Sequence, residues 1–119
     1  MIICAPVTSD GMIDPRWGRA DWVAVADVVD GEIVSWHEVE VSWSRLHDEG
    51  TSGSHHARVV GFLREQKVEA LVANHIGGGM VRMLDKMGLP VHLDAAGDAQ
   101  EAVLAACRPL SPEQEVARA

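Results

Sequence analysis

Histidine is the residue type in this sequence that offers the clearest chemistry. The chain contains six histidines, but no tyrosine and one phenylalanine. Neutral imidazole nitrogens are ligands for borderline metal ions, especially where separate segments bring them to one point. His47 lies in a polar segment, His55 and His56 begin a predicted helix, and His75 follows a predicted strand. We therefore predict a metal site formed by these four residues.

Each of these histidines also has a structural interpretation. Neighbouring residues of a helix point about 100° apart, so His55 and His56 cannot easily bind the same simple ion. We expect one to bind while the other packs or forms a hydrogen bond. His56 falls on the apolar face of its helix, where a core histidine with a backbone partner would also lie. His47 and His55 could equally be solvated, and His75 is the strongest single candidate.

A run of glycines supplies the second candidate feature. Val68–Ala73 has the length and apolar character of a buried strand, and Gly77, Gly78 and Gly79 follow it before a predicted helix. Backbone N–H groups at such a helix start, with the positive end of the helix dipole, suit an anion. The residues after Gly79 complete neither a Walker motif nor a dinucleotide fingerprint. A tight turn without a ligand is the alternative.

Further polar and aromatic residues are predicted to lie near the histidines. Arg16, Arg19 and Arg58 could offset the charge of an anionic ligand, or they could pair with nearby carboxylates. Trp17 could wall a pocket or cover the edge of a sheet. The predicted cofactor-binding residues are Arg16, Trp17, Arg19, Asn74, Gly77, Gly78 and Gly79.

Composition limits the class of protein. The 119 residues are 47% hydrophobic, which suits one domain with its own core. Acidic residues outnumber basic ones 18 to 10, for a net charge of −8, which argues against a nucleic-acid surface. Cys4 and Cys107 form no CxxC motif and are typical of reduced cytoplasmic thiols. No apolar run approaches the roughly 20 residues that span a bilayer. We expect a soluble, cytoplasmic monomer or small homo-oligomer, without a nucleic-acid or membrane partner.

Hydrophobic patterning predicts five strands and three helices within one α/β domain at 1–108, followed by a mobile tail at 109–119. The strands are expected at 2–7, 22–29, 32–42, 68–73 and 91–93, and the helices at 54–67, at 79–87 and from 98 onward. The segment 43–54 is expected to be a long loop. Asp30-Gly31 predicts a tight hairpin between the second and third strands.

These elements predict a single mixed sheet of ribonuclease H-like type. A central first strand, with the hairpin on one side and two βα units on the other, gives the strand order 3-2-1-4-5 with strand 2 antiparallel. The segments that follow strands one, three, four and five then meet at one edge of the sheet. Chain connections reverse direction there, which makes the edge a usual position for a ligand.

Several short motifs, in this order, resemble the dinitrogenase iron-molybdenum cofactor biosynthesis family, whose fold is that of a nitrogenase accessory factor. They are Ile3-Cys4-Ala5-Pro6-Val7, Trp17-Gly18-Arg19-Ala20, Asp30-Gly31, and Ile76-Gly77-Gly78-Gly79-Met80. The similarity spans about residues 1–107, and the combination is more specific than any one motif.

The resemblance implies a ribonuclease H-like, non-catalytic protein that binds or carries an iron–sulfur or iron–molybdenum type cluster, with other cofactor-assembly proteins as partners. Arg19, Gly77 and Gly79 match positions of the family motifs. The family often has His-Phe-Gly-Arg-Ala where this chain has Arg16 and Trp17 in the first two places. Either cluster binding has moved to the four histidines named above, or this chain does not bind such a cluster.

Two other classes of function compete with this hypothesis. A single zinc ion, or an interaction module without a cofactor, would also be consistent with dispersed histidines. A metal-dependent nuclease is less favoured, since two-metal cleavage needs inward carboxylates and the first strand has none.

Overall fold

The computed structural model describes residues 1–46 and 52–107. The strands are β1 (Ile2–Val7), β2 (Trp22–Val29), β3 (Glu32–Glu40), β4 (Ala70–Val72) and β5 (Val91–His92). The helices are α1 (Trp43–Leu46), α2 (Ser52–Glu65), α3 (Gly78–Lys86) and α4 (Ala99–Cys107), with a 3-10 helix at Trp17–Arg19. Within these ranges no helix has the length and apolar character that crossing a membrane requires.

The strands form one mixed sheet in the order β3-β2-β1-β4-β5, which confirms the predicted order. β1 pairs antiparallel with β2 and parallel with β4, and β4 pairs parallel with β5. β1 is central because it is apolar at every position, and Ile3 to Val7 are all buried. The ends of β1, β3, β4 and β5 therefore lie at one edge of the sheet.

The β2–β3 hairpin is closed by the two residues that the sequence indicated. Asp30 has φ 52° and Gly31 has φ 78°, so both occupy the left-handed region. A two-residue turn of this kind matches the right-handed twist of the strands on either side. The hairpin places β3 at the outer edge of the sheet, beside β2.

Helices cover both faces of the sheet. On one face, Val59 and Leu63 of α2 and Leu84 of α3 pack against Cys4 and Leu71 of the sheet. On the other face, Ala99 and Val103 of α4 pack against alternate residues of β1, β2 and β4. The alternation of side chains along each strand divides the core into these two layers. The Glu101 backbone N–H donates to Asp98 Oδ2 at 2.9 Å, which caps the start of α4.

Several predicted boundaries were wrong. The described residues contain four α-helices instead of three, because 43–46 forms α1 where a loop was expected. Trp43 is buried, and its backbone N–H donates to the Ala20 carbonyl at 2.9 Å. β3 ends at Glu40, β4 is limited to Ala70–Val72, and α2 begins at Ser52. The predicted tail at 109–119 lies outside the described residues, and the ribonuclease H-like label stays a prediction.

Candidate metal-cluster pocket

The segments that follow β1 and β4 lie side by side at the edge of the sheet. The backbone of Arg16 pairs in parallel with that of His75. Asp14 precedes this contact and is buried, and its Oδ1 accepts the Arg16 backbone N–H at 2.9 Å. The same oxygen lies 3.4 Å from Arg16 Nε, so Asp14 offsets part of the charge of Arg16. This turn fixes the start of the 3-10 helix.

Trp17 forms the inner wall at this point. Its side chain is 2% exposed and packs edge-on against Trp43, with ring centroids 5.2 Å apart. The indole N–H has no hydrogen-bond acceptor within residues 1–46 and 52–107. Burying an unpaired donor costs free energy, which the ring packing here has to offset. The aromatic contact therefore holds the 3-10 helix against α1.

His55 lies behind this wall and is 3% exposed. Its Nε2 lies 2.9 Å from the Gly18 carbonyl oxygen, and its Nδ1 lies 3.0 Å from Arg58 Nη1. An arginine only donates, so Nδ1 accepts and the ring proton sits on Nε2, which donates to Gly18. Both ring nitrogens are thus occupied. The histidine with the backbone partner is His55, whereas the sequence analysis had raised that role as an alternative for His56.

His56 faces the other wall, where α3 begins. A Cβ added to Gly79 would lie 3.5 Å from His56 Cε1, an ordinary van der Waals distance, so the imidazole faces Gly79. The His56 side chain is half-buried, and His75 is exposed. Among the residues that the structure describes, the two imidazole rings have no hydrogen-bond partner. Of the three described histidines at these walls, His56 and His75 therefore have nitrogens available to a ligand.

The glycine turn forms an uncapped helix start. Gly77 is the N-cap residue of α3 and makes no side-chain capping hydrogen bond, and the first turn holds no acidic residue. Arg82 folds back over this turn, with Nη1 3.5 Å from the Cβ position of Gly78. Backbone N–H groups at a helix start attract anions and disfavour cations. A guanidinium in this place makes the start of α3 strongly electropositive.

These walls enclose a pocket of about 390 Å³. It is lined by Pro15, Arg16, Trp17, Gly18, Arg19, His55, His56, His75, Gly77, Gly79 and Met80. Among the residues that the structure describes, none that lines the pocket is acidic, although acidic residues outnumber basic ones 18 to 10 in the whole chain. The charge of this described lining is thus opposite in sign to that of the protein. This distribution favours an anionic ligand.

Neither cysteine belongs to the pocket. Cys4 is fully buried within β1, and burial raises the pKa of its thiol well above the usual range. Cys107, at the end of α4, lines a separate cavity of about 660 Å³, and partial burial raises its thiol pKa as well. Iron–sulfur clusters that are built on a protein use several cysteine thiolates. A cluster held in this pocket would need protein ligands other than cysteine thiolates.

The structure assembles most, but not all, of the predicted site. The pocket includes eight of the eleven residues named from the sequence: Arg16, Trp17, Arg19, His55, His56, His75, Gly77 and Gly79. Asn74 instead donates from Nδ2 to the Ala95 carbonyl at 3.0 Å, and Gly78 lies under Arg82. His47 lies outside the described residues. Within those residues, no three His, Cys, Asp or Glu side chains are grouped so that they could hold a metal ion.

The contributions of Met80 and Arg82 were missed from the sequence. Met80 was not among the predicted site residues, but it forms part of the pocket lining. Arg82 is four residues after Gly78, which puts the two on the same face of α3. That spacing was the available signal, because a long side chain in a helix points back toward the preceding turn.

Comparison with known proteins identifies one matching family and several solved structures of similar fold. The profile of the family described as "dinitrogenase iron-molybdenum cofactor" matches residues 1–108. The apo form of the orange protein from Desulfovibrio gigas is 21% identical, with a TM-score of 0.68 over 93% of this chain and 92% of that one. A putative NifB protein from Thermotoga is 26% identical, with a TM-score of 0.63 over 87% and 84%.

A putative dinitrogenase from Methanocaldococcus jannaschii is 12% identical, with a TM-score of 0.64 over 87% of this chain and 85% of that one. No curated protein matches the chain in sequence.

Proposed function

Because this chain belongs to the dinitrogenase iron-molybdenum cofactor family, we propose that it binds and carries a preassembled, anionic metal–sulfur cluster of the iron–sulfur or iron–molybdenum type. The cluster would occupy the pocket between the Trp17 wall and the glycine turn. One observation carries the proposal: in a strongly acidic protein, the described residues that line this pocket include arginine, histidine and glycine and no carboxylate.

Different residues of the pocket would make different kinds of contact with the cluster. His56 and His75 would supply imidazole nitrogens to metal atoms of the cluster, as neutral histidines do in many metal sites. Arg16 and Arg82 would offset its negative charge, and the backbone N–H groups at the start of α3 would donate to its sulfides. His47 remains a predicted further ligand. When bound, the cluster would supply the metal and sulfide that the next assembly step requires.

Because no cysteine is among the described residues that line the pocket, we favour a protein that carries a completed cluster over one on which a cluster is assembled. A cluster that is already complete, with its metals bridged by sulfide, can be held by few protein ligands and released intact. Imidazole contacts and charge pairing are weaker than several thiolate bonds, so they suit a carrier. This protein would therefore receive the cluster from one assembly protein and deliver it to another, without catalysing a reaction itself.

The names of two solved relatives support the same class of function. The Thermotoga protein is titled as a putative NifB protein, and the Methanocaldococcus protein as a putative dinitrogenase. Both names refer to nitrogenase or its assembly. The predicted zinc alternative has less support, because structural zinc sites use four ligands and the described residues group no three together. The nuclease alternative has less support as well, because the part of the pocket lining that the structure describes includes none of the carboxylates that two-metal cleavage requires.

Anaerobic reconstitution tests the proposal. Untagged protein is incubated with iron, sulfide and molybdate, passed through a desalting column, and examined for visible absorption and metal content. We expect retained absorption and metal, strongly reduced in His75→Ala and unchanged in His37→Ala, an exposed histidine of β3. No retained metal in the wild type would contradict the function. Equal retention in both variants would contradict the site.

A further inference from the structure

We propose that His55 is a positioning residue, which sets the two walls of the pocket without itself binding the cluster. This inference deepens the proposed function and rests on it only where ligand binding is measured. The geometry points to this role because both nitrogens of His55 are committed. Nε2–H donates to the Gly18 carbonyl at 2.9 Å, and Nδ1 accepts from Arg58 Nη1 at 3.0 Å.

Arg58 selects the tautomer of His55. A guanidinium has donors and no acceptor, so the nitrogen that faces it must offer a lone pair. The ring proton is thereby held on Nε2, where it can reach Gly18. Arg58 Nη1 also donates to the Leu46 carbonyl at 3.3 Å. One guanidinium and one imidazole therefore connect α2 to the last residue of α1 and to the 3-10 helix.

The same contact controls the direction of His56. Consecutive residues of an α-helix point about 100° apart, so α2 cannot turn one histidine without turning the other. With His55 directed at Gly18 and its ring centroid 6.3 Å from that of Trp43, His56 faces Gly79. Losing the bond to Gly18 would remove one restraint on α2, which Val59 and Leu63 also hold through the core, and one restraint on the 3-10 helix. His55 thus affects ligand binding through Gly18 and His56.

Two substitutions separate positioning from bulk packing. His55→Phe keeps an aromatic ring beside Trp43 but removes both hydrogen bonds. His55→Gln loses the ring but keeps an amide N–H that can donate to the Gly18 carbonyl. If His55 acts by positioning, His55→Phe should bind tetrathiomolybdate about tenfold more weakly than the wild type, which corresponds to the upper range for one buried hydrogen bond. His55→Gln should recover most of that loss.

Nitrogen-15 NMR supplies readouts that need no ligand. In the wild type we expect the His55 ring to show the Nε2–H tautomer, and Arg58→Met to relax that preference. The backbone amide of Arg19, which shares its peptide unit with the Gly18 carbonyl, should shift in His55→Phe and much less in His55→Gln. Because these spectra do not depend on a cluster, they decide the role of His55 even if the wild type binds no tetrathiomolybdate. That last result would count against the proposed function alone.

Three results would overturn the inference. The first is an Nδ1–H tautomer in the wild type. The second is unchanged affinity in a folded His55→Phe whose Arg19 amide has not moved. The third is a His55→Gln protein that is folded but binds no better than His55→Phe. If His55→Phe does not fold, the wild-type tautomer and the His55→Gln measurements still decide the question.

Discussion

His55 and His56 are consecutive residues of α2, yet they contact two different walls of the pocket. His55 Nε2 lies 2.9 Å from the Gly18 carbonyl oxygen, whereas His56 Cε1 lies 3.5 Å from the position of a Cβ on Gly79. One turn of α2 thus contacts both the segment after β1 and the start of α3. The width of the pocket depends on how α2 is rotated.

A methyl group added on the glycine side of the pocket should lower cluster retention without lowering the free energy of unfolding. Gly79→Ala adds a methyl group in ordinary contact with His56, at a position whose φ is not in the left-handed region. Alanine favours a helix over glycine by up to about 1 kcal/mol, so the free energy of unfolding should be unchanged or higher. Cluster retention should fall, because the methyl group occupies space beside His56.

Gly61→Ala is the matched control for this change. Gly61 lies within α2, and a Cβ there would meet nothing within 4 Å. Urea unfolding should show a gain of about 1 kcal/mol, with cluster retention equal to that of the wild type. If Gly79→Ala retained the cluster as well as Gly61→Ala does, His56 and Gly79 would not border the bound group.

Charge at the start of α3 should strengthen binding in a salt-dependent way. Arg82→Gln removes the guanidinium that lies over Gly78, and we expect affinity for tetrathiomolybdate to drop by about threefold to tenfold at low salt. The difference should shrink near 1 M salt, where the Debye length is about 3 Å. Arg64→Gln, in the last turn of α2, makes the same change in net charge outside the pocket lining. Equal losses in both variants would indicate a general charge effect and no local site.

The buried thiol of Cys4 should make the protein less stable at alkaline pH. Burial raises the pKa of Cys4 in the folded state, whereas in the unfolded chain the thiol ionises near its ordinary value of 9.0. The unfolded state therefore releases a proton above that pH while the folded state keeps it, so the free energy of unfolding falls as pH rises. Between pH 8 and pH 10, by urea unfolding, the wild type should lose more stability than Cys4→Ala. Parallel losses would show that the thiol ionises equally well in both states.

Much of the fold could be predicted because its signals are local. The unbroken apolar run of β1 identified the central strand, and Asp30-Gly31 identified the hairpin. α1 could not be predicted in this way, since its apolar anchor is tertiary: Trp43 is buried because Trp17, far away in sequence, packs against it at 5.2 Å. The spacing of apolar residues within 43–46 does not indicate the contact between Trp43 and Trp17.

The grouping of the pocket residues was predictable at the level of the sheet edge but not at that of individual contacts. Topology alone brought Arg16 and His75 to one edge. The orientation of α2 was undetermined, because His55 lies four residues before Val59 and His56 lies three before it, and both spacings fit one apolar face. The hydrogen bond from His55 to Gly18 settles the choice, and it joins residues 37 apart in sequence.

The most direct test of the central claim is a visible-absorption titration of tetrathiomolybdate into two double variants. His56→Ala/His75→Ala removes the two pocket imidazoles with available nitrogens, and His37→Ala/His92→Ala removes two exposed histidines outside the lining. We predict a dissociation constant at least about tenfold higher for the first variant, a difference of about 1.4 kcal/mol, and one close to wild type for the second. Equal affinity in the two double variants would contradict the account.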